Sequence, residues 1–238
     1  MKNRLSIVMY HYVRDLYNSP FPNIKGLNIT EFKNQLDYVV KHFNVISLAQ
    51  LIDRILHNSE LPKNAMLLTF DDGYIDHFEN VLPLLIKKNI TGVFAIPAKP
   101  LVEKKVLLVN KIHFILATIG DDTGKIIRKI FKYLDTYRED YNLFDNDYYY
   151  KKYAKNDRFD TKKVVFVKSM LQHILPYNLS ELIANNLFEK FVTNDEESFA
   201  EELYLSQIQL KTMIASGMFV AAHGYDHCWV GKMANEEQ

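Results

Sequence analysis

Cysteine is nearly absent: Cys228 is the one thiol in 238 residues. No disulfide can form within the chain, and a zinc site built from several cysteines is excluded. A reducing compartment fits that usage. An excess of charge is also missing, since Lys plus Arg equals Asp plus Glu at 29 each. A generic polyanion-binding surface is therefore not implied, and nucleic acid is not expected as a partner. Long apolar runs are lacking too. The stretch from Leu5 to Tyr10 is interrupted by Ser6 and ends at His11, too short for a signal-peptide core and better read as a buried strand. No segment approaches the length of a membrane span. These absences together predict a cytoplasmic protein.

What remains is an ordinary globular composition, 48% apolar and 24% charged. The length suits one large domain, or one domain carrying a substantial insertion. Strands and helices alternate at first. Ser6–Tyr10 reads as a strand, and Thr30 as the cap of a helix bearing Phe32, Leu36, Val39, Val40 and Phe43 at helical spacing. Val45–Ile46 reads as a short strand, followed by a helix capped by Ser47. Ala65–Phe70 is an almost continuous apolar run, as expected of a strand buried on both faces. A helix through Phe78, Leu82, Leu85 and Ile86 follows, with Pro83 in its first turn or at a kink, then a strand over Thr91–Ile96. This order predicts a parallel sheet or β/α barrel, with functional residues at the carboxyl ends of strands.

Between about Leu101 and Tyr204 the pattern breaks into helical sequence rich in Lys, Tyr, Asn and Asp. Three segments are expected: 1–100 as the first part of a β/α domain, 101–204 as a helical insertion, and 205–238 as the domain's continuation. In the last, Ser206 and Gln209 form a capping box, Gly217 stops the helix, and Met218–Ala222 reads as another buried strand.

Two polar clusters follow strands that lie far apart in sequence: Asp71-Asp72-Gly73 and His223-Gly-Tyr-Asp-His227. Two histidines four apart, with a carboxylate from elsewhere, can close on one divalent metal and leave positions open for water and substrate. A base beside that metal must take the water's proton. Adjacent aspartates serve both needs if one points at the metal and the other at the water, and Gly73 allows the sharp turn. Taken singly, Asp-Asp-Gly is usually a turn, and His-x-x-x-His is usually incidental.

Thr69-Phe70-Asp71-Asp72-Gly73-Tyr74 and His223-Gly-Tyr-Asp-His227 resemble the first two motifs of the polysaccharide deacetylases, the NodB-homology group of carbohydrate esterases. Met9-Tyr10-His11 and Thr91–Ile96 look like strands of the same family, so the resemblance covers roughly residues 1–98 and 205–238. It implies an α/β fold, an incomplete or distorted (β/α) barrel of the NodB-homology type with a mainly helical insertion. It implies a metal-dependent hydrolase acting on carbon–nitrogen, non-peptide bonds, which removes an N- or O-acetyl group from a sugar of a surface polysaccharide or its precursor. Asp71 would then be the general base. Asp72, His223 and His227 would hold one divalent metal, zinc first, with Co, Ni or Mn as alternatives. His11 and Tyr74 would contact substrate or orient a ligand.

Gly224 stands where the family usually has Ser or Thr, and the family's later arginine motif and late histidine are not found after Gly231. The strands counted cannot complete a closed barrel. A truncated chain, a partner chain or homo-oligomer completing the barrel, and a degenerate homologue are the three explanations. Two other functions stay open: a catalytically impaired glycan-binding or assembly protein that keeps the metal site, and another metal hydrolase such as a phosphoesterase. His77 reads as a partly buried structural residue. His42, His57, His113 and His173 form no constellation, and Cys228 has no base partner that would make it a nucleophile.

Overall fold

A computed structural model describes residues 4–229 and 231 of the chain. Residues 1–3, 230 and 232–238 lie outside the described residues, and with them the first positions of the N-terminal reading and the end of segment 205–238. The chain forms two compact units. One comprises Met1–Pro20, Lys25–Lys105 and Glu197–Gln238, the other Phe21–Ile24 and Val106–Glu196.

The first unit opens with β1 (Leu5–Tyr10), β2 (Val13–Arg14), β3 (Leu27–Asn28), α1 (Ile29–His42), β4 (Asn44–Val45) and α2 (Leu48–His57). It continues with β5 (Ala65–Asp71), a π-helical turn over His77–Val81, α3 (Leu82–Lys87), β6 (Val93–Ile96) and α4 (Ala98–Glu103). The helices of the second unit follow: α5 (Leu108–Ile119), α6 (Thr123–Thr136), α7 (Asn146–Tyr153), α8 (Lys162–Ser169) and α9 (Tyr177–Phe191). Then come α10 (Glu196–Leu203), α11 (Gln207–Ala215) and β7 (Phe219–Ala222).

The main sheet is parallel, in the order β1-β5-β6-β7, with β4 paired to the start of β5. Among the described residues no strand joins β7 to β1, so the parallel sheet is open and does not close into a barrel. One face packs on α1 and α3 through Phe32, Leu36, Phe70, Leu85 and Phe94. Phe70 is fully buried, with its ring 5.3 Å from Tyr10 and 4.8 Å from Phe94. On the other face Ile46, Ala65, Leu67 and Val93 cluster with Leu48 and Leu51 of α2. Burying each large apolar side chain in these layers contributes about 1.5–3 kcal/mol.

Several local expectations need correction. β1 and β7 are not buried on both faces: Ile7 and Met9 are 59% and 60% exposed, and Val220 and Ala222 are also exposed. Each strand sits at an end of the sheet, so an apolar sequence does not bring two covered faces. Asn28, not Thr30, caps α1, its side chain accepting from the Thr30 N–H at 3.0 Å. The helix expected through Phe78 begins with a π-turn, and α3 carries Pro83 at its second position, where a missing N–H costs little. Ser47 caps α2 as read, in a capping box with Gln50 that the reading did not include, and the capping box of α11 (Ser206, Gln209) forms as read.

The second unit contains no strand among its described residues. Ile112, Phe114, Ile130, Phe166 and Leu187 are buried in it. One cation is buried there: Lys111 reaches Glu196 at 2.8 Å and Asn185 at 2.6 Å, partners that a buried ammonium requires. No helix among the described residues is long and apolar enough to cross a membrane.

Candidate active site

β5 ends at Asp71, and the next two residues turn through the left-handed region, Asp72 at φ 74° and Gly73 at φ 66°. An alanine at Gly73 would place its Cβ 3.3 Å from two side-chain carbons of Ile96, so glycine is needed for space and for torsion. The chain after the turn is held by the segment before α11, with Ile75 N–H donating to Leu203 O and Leu205 N–H to Gly73 O. Tyr74 is thereby fully buried, and its hydroxyl donates to Asp72 Oδ2 at 2.6 Å.

β7 delivers the second cluster. His223 N–H continues the ladder to Ile96 O, and the loop then laces onto the start of α4 through Ala98 N–H to Gly224 O and Lys99 N–H to Tyr225 O. Gly224 sits at φ 73° and His227 at φ 62°. A serine or threonine at position 224 would be strained in that conformation, which accounts for the glycine.

The turns bring three ligand atoms together. Asp72 Oδ1 lies 3.5 Å from His223 Nε2 and 3.3 Å from His227 Nε2, and one ligand atom from each residue falls within 4.8 Å of the others. Asp72 is 2% exposed, yet its Oδ1 has no hydrogen-bond partner. The imidazoles approach it without the alignment a hydrogen bond needs. An orphaned, buried carboxylate oxygen facing two imidazole nitrogens fits a divalent cation of the zinc type. Burial alone would raise the Asp72 carboxyl, but His227, the Tyr74 hydroxyl and the His11 charge together bring it down to about 2. The same contact with Asp72 raises His227.

Asp71 is half-buried beside this group. Burial raises its carboxyl, against the opposing charges of His223 and His11. His11, partly buried, follows β1 directly, and the register that sets Tyr10 opposite Phe70 brings it to the same end of the sheet as Asp71. His77 is fully buried rather than partly so; burial lowers its imidazole to about 4, and its Nε2 meets His11 O at 2.9 Å. His42, His57, His113 and His173 join no group of potential ligands among the described residues. Sequence reasoning missed Tyr12, whose ring stacks on Tyr74 at 4.0 Å, and the Arg14–Asp76 ion pair. No local spacing rule links residues about sixty positions apart.

No protein-family profile matches the chain, and no curated protein matches it in sequence. Among solved structures, a de-N-acetylase from Aggregatibacter actinomycetemcomitans is 28% identical over 42% of this chain and 39% of that chain, with a TM-score of 0.37. The deacetylase domain of BpsB from Bordetella bronchiseptica is 31% identical over 44% of this chain and 42% of that one, with a TM-score of 0.34. IcaB from Ammonifex degensii is 22% identical over 48% and 52%, with a TM-score of 0.35. The chain therefore resembles solved deacetylases over part of its length and spans about half or less of each of these three.

Proposed function

We propose that the chain is the metal-binding part of a hydrolase that removes an N- or O-linked acetyl group from a sugar of a surface polysaccharide or its precursor. In this reading segments 1–100 and 205–238 belong to a deacetylase β/α barrel, with 101–204 inserted between them. The observation that carries it is the convergence of Asp72, His223 and His227 around an unpartnered carboxylate oxygen, with Asp71 alongside. The motif resemblance supports the same assignment.

Asp72, His223 and His227 would hold one divalent ion, with zinc the first choice for two imidazoles and a carboxylate. When bound, such an ion supplies polarisation of the acyl carbonyl and activation of water. Asp71 takes the proton of that water, a task suited to a carboxyl raised by partial burial. Tyr74 fixes the rotamer of Asp72 through its hydroxyl. His11 faces the sugar or its acyl group from the end of β1. A single carboxylate ligand argues against a two-metal phosphoesterase site.

The test is metal content and acetate release from acetylated amino-sugar oligomers, run on one preparation. Wild type should carry about one zinc ion per chain. His223→Ala with His227→Ala should lose it, and Asp71→Asn should keep the metal while acetate release falls about a hundredfold or more. Metal uptake with no acetate release by wild type would favour a glycan-binding or assembly protein. Failure to take up metal would overturn both.

A further inference from the structure

The residues after β1 are tied to the segment beyond the Asp71–Gly73 turn, mostly through backbone atoms. His77 Nε2 donates to the His11 carbonyl at 2.9 Å, and Asn80 Nδ2 to the Val13 carbonyl at 2.8 Å. Asp76 Oδ2 accepts the Val13 N–H at 3.1 Å, and both its oxygens take the Arg14 guanidinium at 2.8 Å. Asp76 and His77 are 4% and 0% exposed. The Tyr12 ring lies on Tyr74, 4.0 Å between centroids.

Burying a carboxylate and an imidazole is costly, and apolar side chains would fill the same space without that cost. Neither Asp76 nor His77 belongs to the Asp72–His223–His227 group. Together with Asn80 they bond three backbone groups and one side chain of residues 11–14, while His77 Nδ1 has no hydrogen-bond partner. The π-turn of His77–Val81 follows directly after Asp76 and carries His77 and Asn80; such turns recur at functional sites because they displace side chains from helical register. β1 and β5 run in parallel register with Tyr10 opposite Phe70, so the fixed span begins with His11 next to Asp71.

We propose that Asp76, His77 and Asn80 form a clamp of positioning residues that fixes His11 beside Asp71, where it contacts the substrate. The clamp rests on the deacetylase reading of this site. Its members touch neither substrate nor metal. They determine where His11 stands, and a displacement of about 1 Å at such a group can cost about a hundredfold in rate.

The experiment compares His77→Leu, His77→Gln, Asn80→Ala and His11→Ala in the full chain by zinc content, kcat and KM for acetate release, and amide hydrogen exchange. His77→Leu should lower kcat about tenfold or more with zinc content and KM unchanged. His77→Gln, whose amide can still donate to the His11 carbonyl, should recover most of that loss. In a His11→Ala background, His77→Leu should change kcat by less than about twofold, because the two act through one group. Exchange at residues 11–14 should quicken in His77→Leu and Asn80→Ala. The clamp is overturned if the kcat losses of His77→Leu and His11→Ala multiply, or if zinc content falls together with kcat. Unchanged exchange at residues 11–14 overturns it as well, and that readout does not depend on activity. A wild type that takes up no zinc or releases no acetate strikes the deacetylase reading instead, and the exchange data still decide the clamp.

Discussion

Asp72 is a non-glycine residue held at φ 74°, and Gly73 and Gly224 share its left-handed backbone. The three positions separate torsional strain from crowding. At Gly224 an added Cβ meets nothing within 4 Å, whereas at Gly73 it meets Ile96. Gly224→Ser should therefore cost only the torsional strain, about 1 kcal/mol. Gly73→Ala should cost about 2 kcal/mol or more, because strain and contact add. Denaturant unfolding of the two variants checks the order, and equal losses would mean that Ile96 yields freely. His77 gives a second prediction. Its imidazole titrates at about 4 in the folded chain and near 6.5 when unfolded. Between these values the unfolded state binds the extra proton, so stability is complete above about pH 6.5 and is lost as pH falls towards 4. The loss should reach a few kcal/mol in wild type and should be absent from His77→Gln. Parallel pH profiles for the two proteins would count against this.

The elements that carry the site are anchored by one aromatic column. Phe70 is fully buried between Tyr10 and Phe94 and also touches His77 and Phe32. Phe70→Ala should cost about 3–5 kcal/mol and, on the proposed metal site, lower affinity for a divalent ion as well, since the residue lies two positions before Asp72. Calorimetry with and without zinc would show both effects, and a loss under about 1 kcal/mol would mean the column repacks. Much at this scale was legible in the sequence. Ala65–Phe70 is apolar on both sides of its alternation, and the Ser47 cap and the Ser206–Gln209 capping box are local patterns, so local rules found them. The Asp-Asp-Gly and His-x-x-x-His clusters could be placed at strand ends for the same reason. Burial of β1 and β7 was misread because an apolar strand shows only what it could bury, while sheet order decides which faces are covered. Asn28 outcompeted Thr30 as a cap because β3 runs directly into α1. The contacts of residues 11–14 with Asp76, His77 and Asn80 were invisible, since they depend on β1 and β5 lying side by side.

At the scale of the molecule, the sheet ends at β1 and β7 among the described residues and carries an exposed apolar face. Among the described residues, β1 pairs only with β5, and β7 only with β6. On the face shared with α2, Leu48 and Leu51 pack inwards, but Ile55 and Leu56 remain 70% and 69% exposed. Ile7 and Met9 of β1 add to this uncovered surface. Unpaired edges beside exposed apolar side chains invite strand addition from another chain. The chain should therefore bind an apolar dye such as anilinonaphthalene sulfonate in its native state and associate as its concentration rises. Ile55→Glu with Leu56→Glu should weaken both effects with little loss of stability, because the two residues contribute little buried area and the α2 capping box is untouched. Sedimentation across a concentration series provides the check. A wild type that stays monomeric at every concentration and binds no dye would show that this face is covered in solution. Dye binding without association would point to an apolar ligand surface rather than an interface between chains.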